Sequence, residues 1–558
     1  MSMIYRRLGT LMLVIGPVTT LAISPFSNFD PINLVKLLFV TSFAFAMCAL
    51  FLFKPRETYS RLNKWIWIAA SAFLLWMLIV LLVSDAPINQ QMWGVFGRNT
   101  GLLTYASLLL ILLGTAMVQE QRTYHKLVDV LVLTGVPTTL YALVQLAGKD
   151  PIGWSERAAF ATLGNINFSS AFFGLVALSA FTLSLGRSVK FWARLLLWAL
   201  AGIDLMIILA TGSIQGFMIF LAGVGVVGFV FVLKTNSLRW VRVPYLLLGL
   251  GGFTLSVLAL MNIGPLARFI FQNSILFRYD YWYAGWIMSL KNPLFGVGLD
   301  SYGDWYRELR GPTATLRTGP DRITNTAHNI YLDLSASGGF PLLLAFGILL
   351  AFAARASYLV LRRSTSFSTY FTALLACWIA YLVQAAVSIN QIGVGIWGWL
   401  FTGAIIGYEY STRETASHNS KDLKKSKKSV PTPIPARASL LMILGFAVGL
   451  ILSFVPYQAD TKFKSALETD SAVDLESSAK LLGATAYHFE LALDRAIKRG
   501  DEAESARLAR EILDRYPRSF MAWRVVQVLN STSPEEREKA YLRLKDLDPY
   551  NPTIQRVG

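Results

Sequence analysis

Apolar runs of about 20 residues recur along most of the chain, separated by short polar stretches, and such runs predict membrane-spanning helices. Thirteen segments fit, near 8–24, 34–53, 65–83, 102–118, 127–147, 169–186, 194–210, 216–233, 244–261, 340–361, 368–388, 396–410 and 438–455. The pattern predicts an all-α polytopic membrane protein with about 13 transmembrane helices. After residue 455 the pattern changes. LALDRAIKRGDEAESARLAREILDRYP and SPEEREKAYLRLKDLDPYNP read as short amphipathic helices, with Pro517 and Pro549 closing them. Their spacing resembles tetratricopeptide (TPR) repeats, so residues 456–558 are expected to form a small α-helical TPR-like domain.

Loop charges orient these elements. Loops on one side carry 24 lysines and arginines, and short loops on the other carry Arg98, Lys149 and Arg157. Basic loops favour the cytoplasm. The N-terminus is therefore expected inside, and residues 262–339 and the C-terminal domain outside. The predicted organisation is a membrane domain over 1–455, with an external loop at 262–339 and a basic cytoplasmic linker at 411–437, then the tail.

Composition agrees. Of 558 residues, 54% are hydrophobic and 15% charged, too few charges for an ordinary soluble protein. The net charge of +17 is read as topology and not as nucleic-acid binding. The tail is balanced, with 17 acidic and 16 basic residues. Cys48 and Cys377 fall inside apolar runs and read as packing residues.

The external loop concentrates the candidate chemistry. It reads RYDYWYAGWIMSLKNPLFGVGLDSYGDWY and later DRITNTAHNIYLDLSASGGFP. His328, just before a span, can act as a base toward a hydroxyl or hold a phosphate oxygen. Arg278 can bind phosphate through two parallel donors or simply sit as an interfacial cation. Arg157, Arg317 and Arg322 add cations on the same face. Asp204 lies mid-span, where an ionisable side chain is a functional candidate by default. GVGVVG at 223–228 lies inside a span and reads as helix packing. No P-loop or zinc-ligand spacing is present.

These motifs together resemble the O-antigen ligase (WaaL-like) family, related to the Wzy polymerases and to bacterial protein O-oligosaccharyltransferases. The resemblance rests on Arg278, Trp282 and Trp286, the turn Asn292-Pro293-Leu294-Phe295-Gly296-Val297-Gly298, and His328-Asn329 ahead of Gly338-Gly339. GRNTGLLTY at 97–105 and ATLGNINFSSAFFG at 161–174 extend it over roughly residues 60–410. It departs from the family at TGSIQG, 211–216, where Gln215 stands in place of an arginine. The resemblance implies a GT-C-type glycosyltransferase of the bacterial cytoplasmic membrane. The donor would be an undecaprenyl-diphosphate-linked glycan, and the acceptor a hydroxyl on lipid, glycan or protein. By resemblance His328 and Arg278 are catalytic. Arg278, Gln215, Arg157 and Arg322 would hold the diphosphate, Asn329, Trp282 and Asp204 would support them, and no metal or other cofactor is needed. A polymerase or a protein glycosyltransferase is the near alternative. A lipid-linked glycan transporter, in which Asp204 would matter more than His328, is the distant one. The tail suits a protein partner.

Overall fold

The computed structural model describes residues 3–155, 158–271, 273–418 and 436–556. Among these residues there are helices and no strands. Each of the thirteen apolar segments overlaps a helix. Among the described residues, nine helices are long and apolar enough to cross a membrane, and the apolar helices Leu102–Ala116 and Thr369–Ala385 are shorter. The protein is a multi-pass membrane protein. Most of the basic linker, residues 419–435, lies outside the described residues.

The helix beginning at Ile392 runs through the middle of the bundle, with Trp397, Leu400, Phe401 and Ala404 fully buried. Around it pack Phe73, Leu108 and Phe172. By contrast the helix Arg242–Leu260 leaves Val243, Leu248 and Phe253 exposed. Such a surface is costly in water and ordinary against lipid. The buried Lys36 donates to the carbonyls of Thr19, Thr20 and Ala22 at 2.8–3.0 Å. It thereby satisfies the open C-terminal end of the helix Met3–Leu21.

The region expected as an external loop is structured. It holds the helices Asn273–Lys291, Tyr302–Leu309 and Pro312–Thr318. The expected loop ended at 339, but the next helix begins at Ile330 and runs to Arg363. Asn329 starts it early by accepting from the backbone N–H groups of Tyr331 and Leu332. Gly339, at φ +74°, breaks it one residue before the predicted span. The turn 292–298 docks into this break. Val297 N donates to Ala336 O at 2.8 Å, and Phe340 N to Pro293 O at 2.8 Å. A side chain at Gly339 would run into the Leu294 carbonyl, so this close approach needs glycine. Two motifs about 40 residues apart in sequence therefore make one joint.

The expected boundary at residue 455 falls within a continuous helix, Ala436–Thr469, which carries Pro456 inside it. The tail continues with Ala472–Ala479, Ala486–Arg499, Glu502–Arg515, Phe520–Val528 and Pro534–Leu547. Phe489, Leu493, Leu508 and Ile512 form its core. The tail rests on the external region. Arg310 Nη2 donates to both carboxylate oxygens of Asp548, at 2.7 and 2.8 Å, and both side chains are fully buried. Arg307 joins the same carboxylate at 3.1 Å. Arg518 donates to Glu308 at 2.5 Å and stacks over Trp305 at 3.7 Å. Residues 302–310 and the tail thus pack against each other.

Candidate active site at the outer face

Arg278 and Tyr281 are three residues apart on the helix Asn273–Lys291 and share a face. Arg278 is buried, and its Nε donates to the Val387 carbonyl at 3.0 Å. With its amide oriented to satisfy both neighbours, Gln215 accepts from Arg278 Nη2 at 2.9 Å and donates to the Asn167 carbonyl at 3.3 Å. Ser213 Oγ donates to Asn167 Oδ1 at 2.9 Å, and Gly216 N donates to Ser170 Oγ at 3.0 Å. The stretches 164–174 and 211–216 therefore pack directly on each other, and Arg278 closes over them. Gln215 thus sits directly beside Arg278.

His328 lies on the far side of Tyr281. The two rings stack, with centroids 5.3 Å apart and planes 29° apart. The His328 backbone is left-handed, at φ +52°, and its N–H donates to Thr326 Oγ1 at 3.1 Å. Burial, followed by the positive charges of Arg278 and Arg98, pushes its pKa down from 6.5 to about 3. The imidazole is therefore neutral, and the same burial and charges disfavour its protonated form.

His328 and Tyr281 line a cavity of about 1390 Å³ together with Arg98, Arg322 and Asn325. Arg98 Nε donates to Asn325 Oδ1 at 3.0 Å. The nearby carboxylate of Asp300 accepts from Val95 N at 2.8 Å and Thr100 Oγ1 at 3.0 Å, and this shapes the loop that carries Arg98. Arg322 is exposed, with its guanidinium 4.2 Å over the Phe277 ring. Helices of the tail form the opposite wall, through Tyr487, Glu490, Arg518 and Arg543.

Arg278 and Gln215 thus meet directly, Arg278 lies near enough to His328 to bear on its ring, and His328 and Arg322 line the cavity, which Arg278 and Gln215 do not. Asn329 adjoins His328, but its side chain caps the following helix. Trp282 packs edge-on against Tyr279 at 5.7 Å, and its buried Nε1 has no hydrogen-bond partner among the described residues. Asp204 does not line the cavity. It accepts from Thr139 Oγ1 at 2.6 Å inside the bundle, and its second oxygen is buried with no partner among the described residues. Arg157 lies outside the described residues. Arg98 read as one of several scattered outer cations, and only the fold places it beside His328. Asn167 and Ser213 sit in stretches that stood out in sequence. The Val387 carbonyl and the tail wall had no such signal.

Residues 195–347 match the family model described as O-Antigen ligase. That region contains Gln215, Arg278, the 292–298 turn and His328. No curated protein matches the chain.

Proposed function

We propose that this chain, which carries an O-antigen ligase domain at residues 195–347, transfers a glycan from an undecaprenyl-diphosphate carrier to a hydroxyl acceptor. The reaction takes place at the outer face of the cytoplasmic membrane. The observation that carries this reading is that His328 lines the cavity with Arg98 and lies near enough to Arg278 for both guanidinium groups to bear on its ring.

In this reading the donor diphosphate binds at Arg278, where a guanidinium can pair with two phosphate oxygens. Gln215 adds a single neutral N–H donor. The acceptor hydroxyl approaches from the cavity. Its oxygen attacks the anomeric carbon, and the bond from that carbon to the phosphate oxygen breaks. The electron pair leaves with the lipid diphosphate. His328 accepts a hydrogen bond from the acceptor hydroxyl and takes its proton as the diphosphate, by bringing negative charge beside the ring, offsets the cations that keep it neutral in the free protein. Arg278 stabilises the charge growing on the leaving group. Arg98 and Arg322 hold negative charge at the mouth of the site. Asp204, tied to Thr139 away from the cavity, has no part in the transfer.

The test is the envelope glycan profile of three strains: wild type, deletion, and His328→Ala at normal expression. Long chains that persist on the lipid carrier in both mutants mean a ligase acting on lipid or protein. Single repeat units in place of long chains mean a polymerase. A His328→Ala strain that matches wild type while the deletion does not would overturn the catalytic assignment.

A further inference from the structure

The tail meets the cavity in a way that a remote recruiting module would not. Tyr487, Glu490, Arg518 and Arg543 form the wall facing His328. Three contacts hold that wall in place. Asp548 is clamped by Arg307 and Arg310, Arg518 is paired with Glu308, and Tyr487 is stacked on Phe96 with centroids 4.5 Å apart. The cavity has two different ends. Toward the bundle its rim is apolar, with Val83 and Leu294 more than half exposed. Toward the tail it offers aromatic faces and planar polar groups. Tyr487 is 44% exposed, and Ser519 Oγ holds Glu490 in place at 2.6 Å. Arg543 is half-buried, and its nearest acid, Asp546, is 4.0 Å away.

From this arrangement, and resting on the function proposed above, we infer that the tail is the acceptor wall of the site and that it recognises a carbohydrate. Four observations favour a glycan over a polypeptide. The cavity exceeds the roughly 300–1,000 Å³ of a small-ligand pocket, which leaves room for an extended chain end. Sugar hydroxyls both donate and accept, so they suit a wall that mixes a carboxylate with guanidinium groups. The apolar faces of sugar rings suit exposed aromatic rings. Finally, an extended peptide is commonly held by a strand edge, and the described residues contain no strand. The apolar rim faces the lipid end of a membrane-tethered substrate, and the tail faces its sugars.

The test places a photoreactive benzoylphenylalanine in the full-length protein in its own cells, at Arg543 or at Met521. A control position is Leu482, which is exposed on the tail and does not line the cavity. The expected product is an adduct at the two cavity positions that survives protease and is destroyed by periodate. A protein adduct at those positions, no adduct, or an equal glycan adduct at Leu482 would overturn the inference. A second arm uses purified enzyme with lipid-linked glycan and envelope acceptor extracted from the same cells. Arg543→Ala and Glu490→Gln should each raise the acceptor KM about fivefold or more, with donor KM and kcat within about twofold of wild type. If neither variant moves the acceptor KM, the tail does not read the acceptor. The same assay on His328→Ala separates the two claims. Transfer lost in His328→Ala but unaltered in the tail variants sinks only the wall. Transfer retained in His328→Ala overturns only the His328 assignment, and no transfer by the wild-type enzyme overturns the proposed function itself.

Discussion

Two buried arginines of the external region, Arg278 and Arg310, make a useful pair. Arg310 meets the Asp548 carboxylate with two hydrogen bonds, and neither side chain touches solvent. Its charge is neutralised on the spot. Arg278 Nε donates to the Val387 carbonyl and its Nη2 to the Gln215 amide, and its charge bears on the His328 ring. Arg310 thus ties the tail to the region before it, whereas Arg278 stands beside His328. The same residue type serves as a clamp in one place and as a candidate site residue in the other. Position in the fold makes the difference.

The largest expected effects test that contrast directly. Arg278→Ala and His328→Ala should each lower transfer by about 10²–10⁴-fold, while thermal unfolding of the purified protein stays near wild type. Asp548→Ala should do the reverse first. It leaves Arg310 buried without its counter-ion, at a cost of about 3–5 kcal/mol, read as a lower unfolding temperature. If Arg278→Ala unfolds the protein as readily as Asp548→Ala does, the distinction collapses.

A smaller effect is expected from Gln215→Arg. A second guanidinium beside Arg278 should lower the donor KM several-fold. It should also slightly lower stability without donor, because two like charges then share a buried site. An unchanged donor KM would mean that the diphosphate does not reach this cluster.

The smallest effect concerns pH. The folded pKa of His328, about 3, lies below its ordinary 6.5. The fold therefore favours the neutral ring, and the associated stability is present above 6.5 and declines as pH falls toward 3. Between pH 5 and 8 the profile of kcat/KM should show no inflection from His328. An acid limb near 6.5 that disappears in His328→Ala would contradict the buried, neutral imidazole.

Much of the fold was legible in sequence, because each apolar segment carries its own reason to be helical. In lipid the backbone must satisfy its hydrogen bonds within the segment. The break at Gly339 was only half legible. The Gly338-Gly339 pair stood out, but its partner is the 292–298 turn, and the hydrogen bonds between them join residues far apart in the chain. Of the site residues, His328 and Arg278 stood out because histidine and arginine are informative types at an outer face. Arg98 carried no more signal than any other outer cation, since nothing local tells it that Asn325 and His328 will be neighbours.

The amino-acid sequence by itself determined the helical membrane architecture, the change of character after residue 455 and the O-antigen ligase resemblance. All three rest on local periodicity, on composition or on short motifs. Only the tertiary structure decided that Gln215 bonds Arg278, that Asp204 stays out of the cavity, and that the tail closes the cavity as its wall. The physical reason is that a charged side chain acquires its role from the groups that surround it after folding. Asp548 and Arg310 lie more than 200 residues apart in the chain, and only folding brings them within hydrogen-bonding distance.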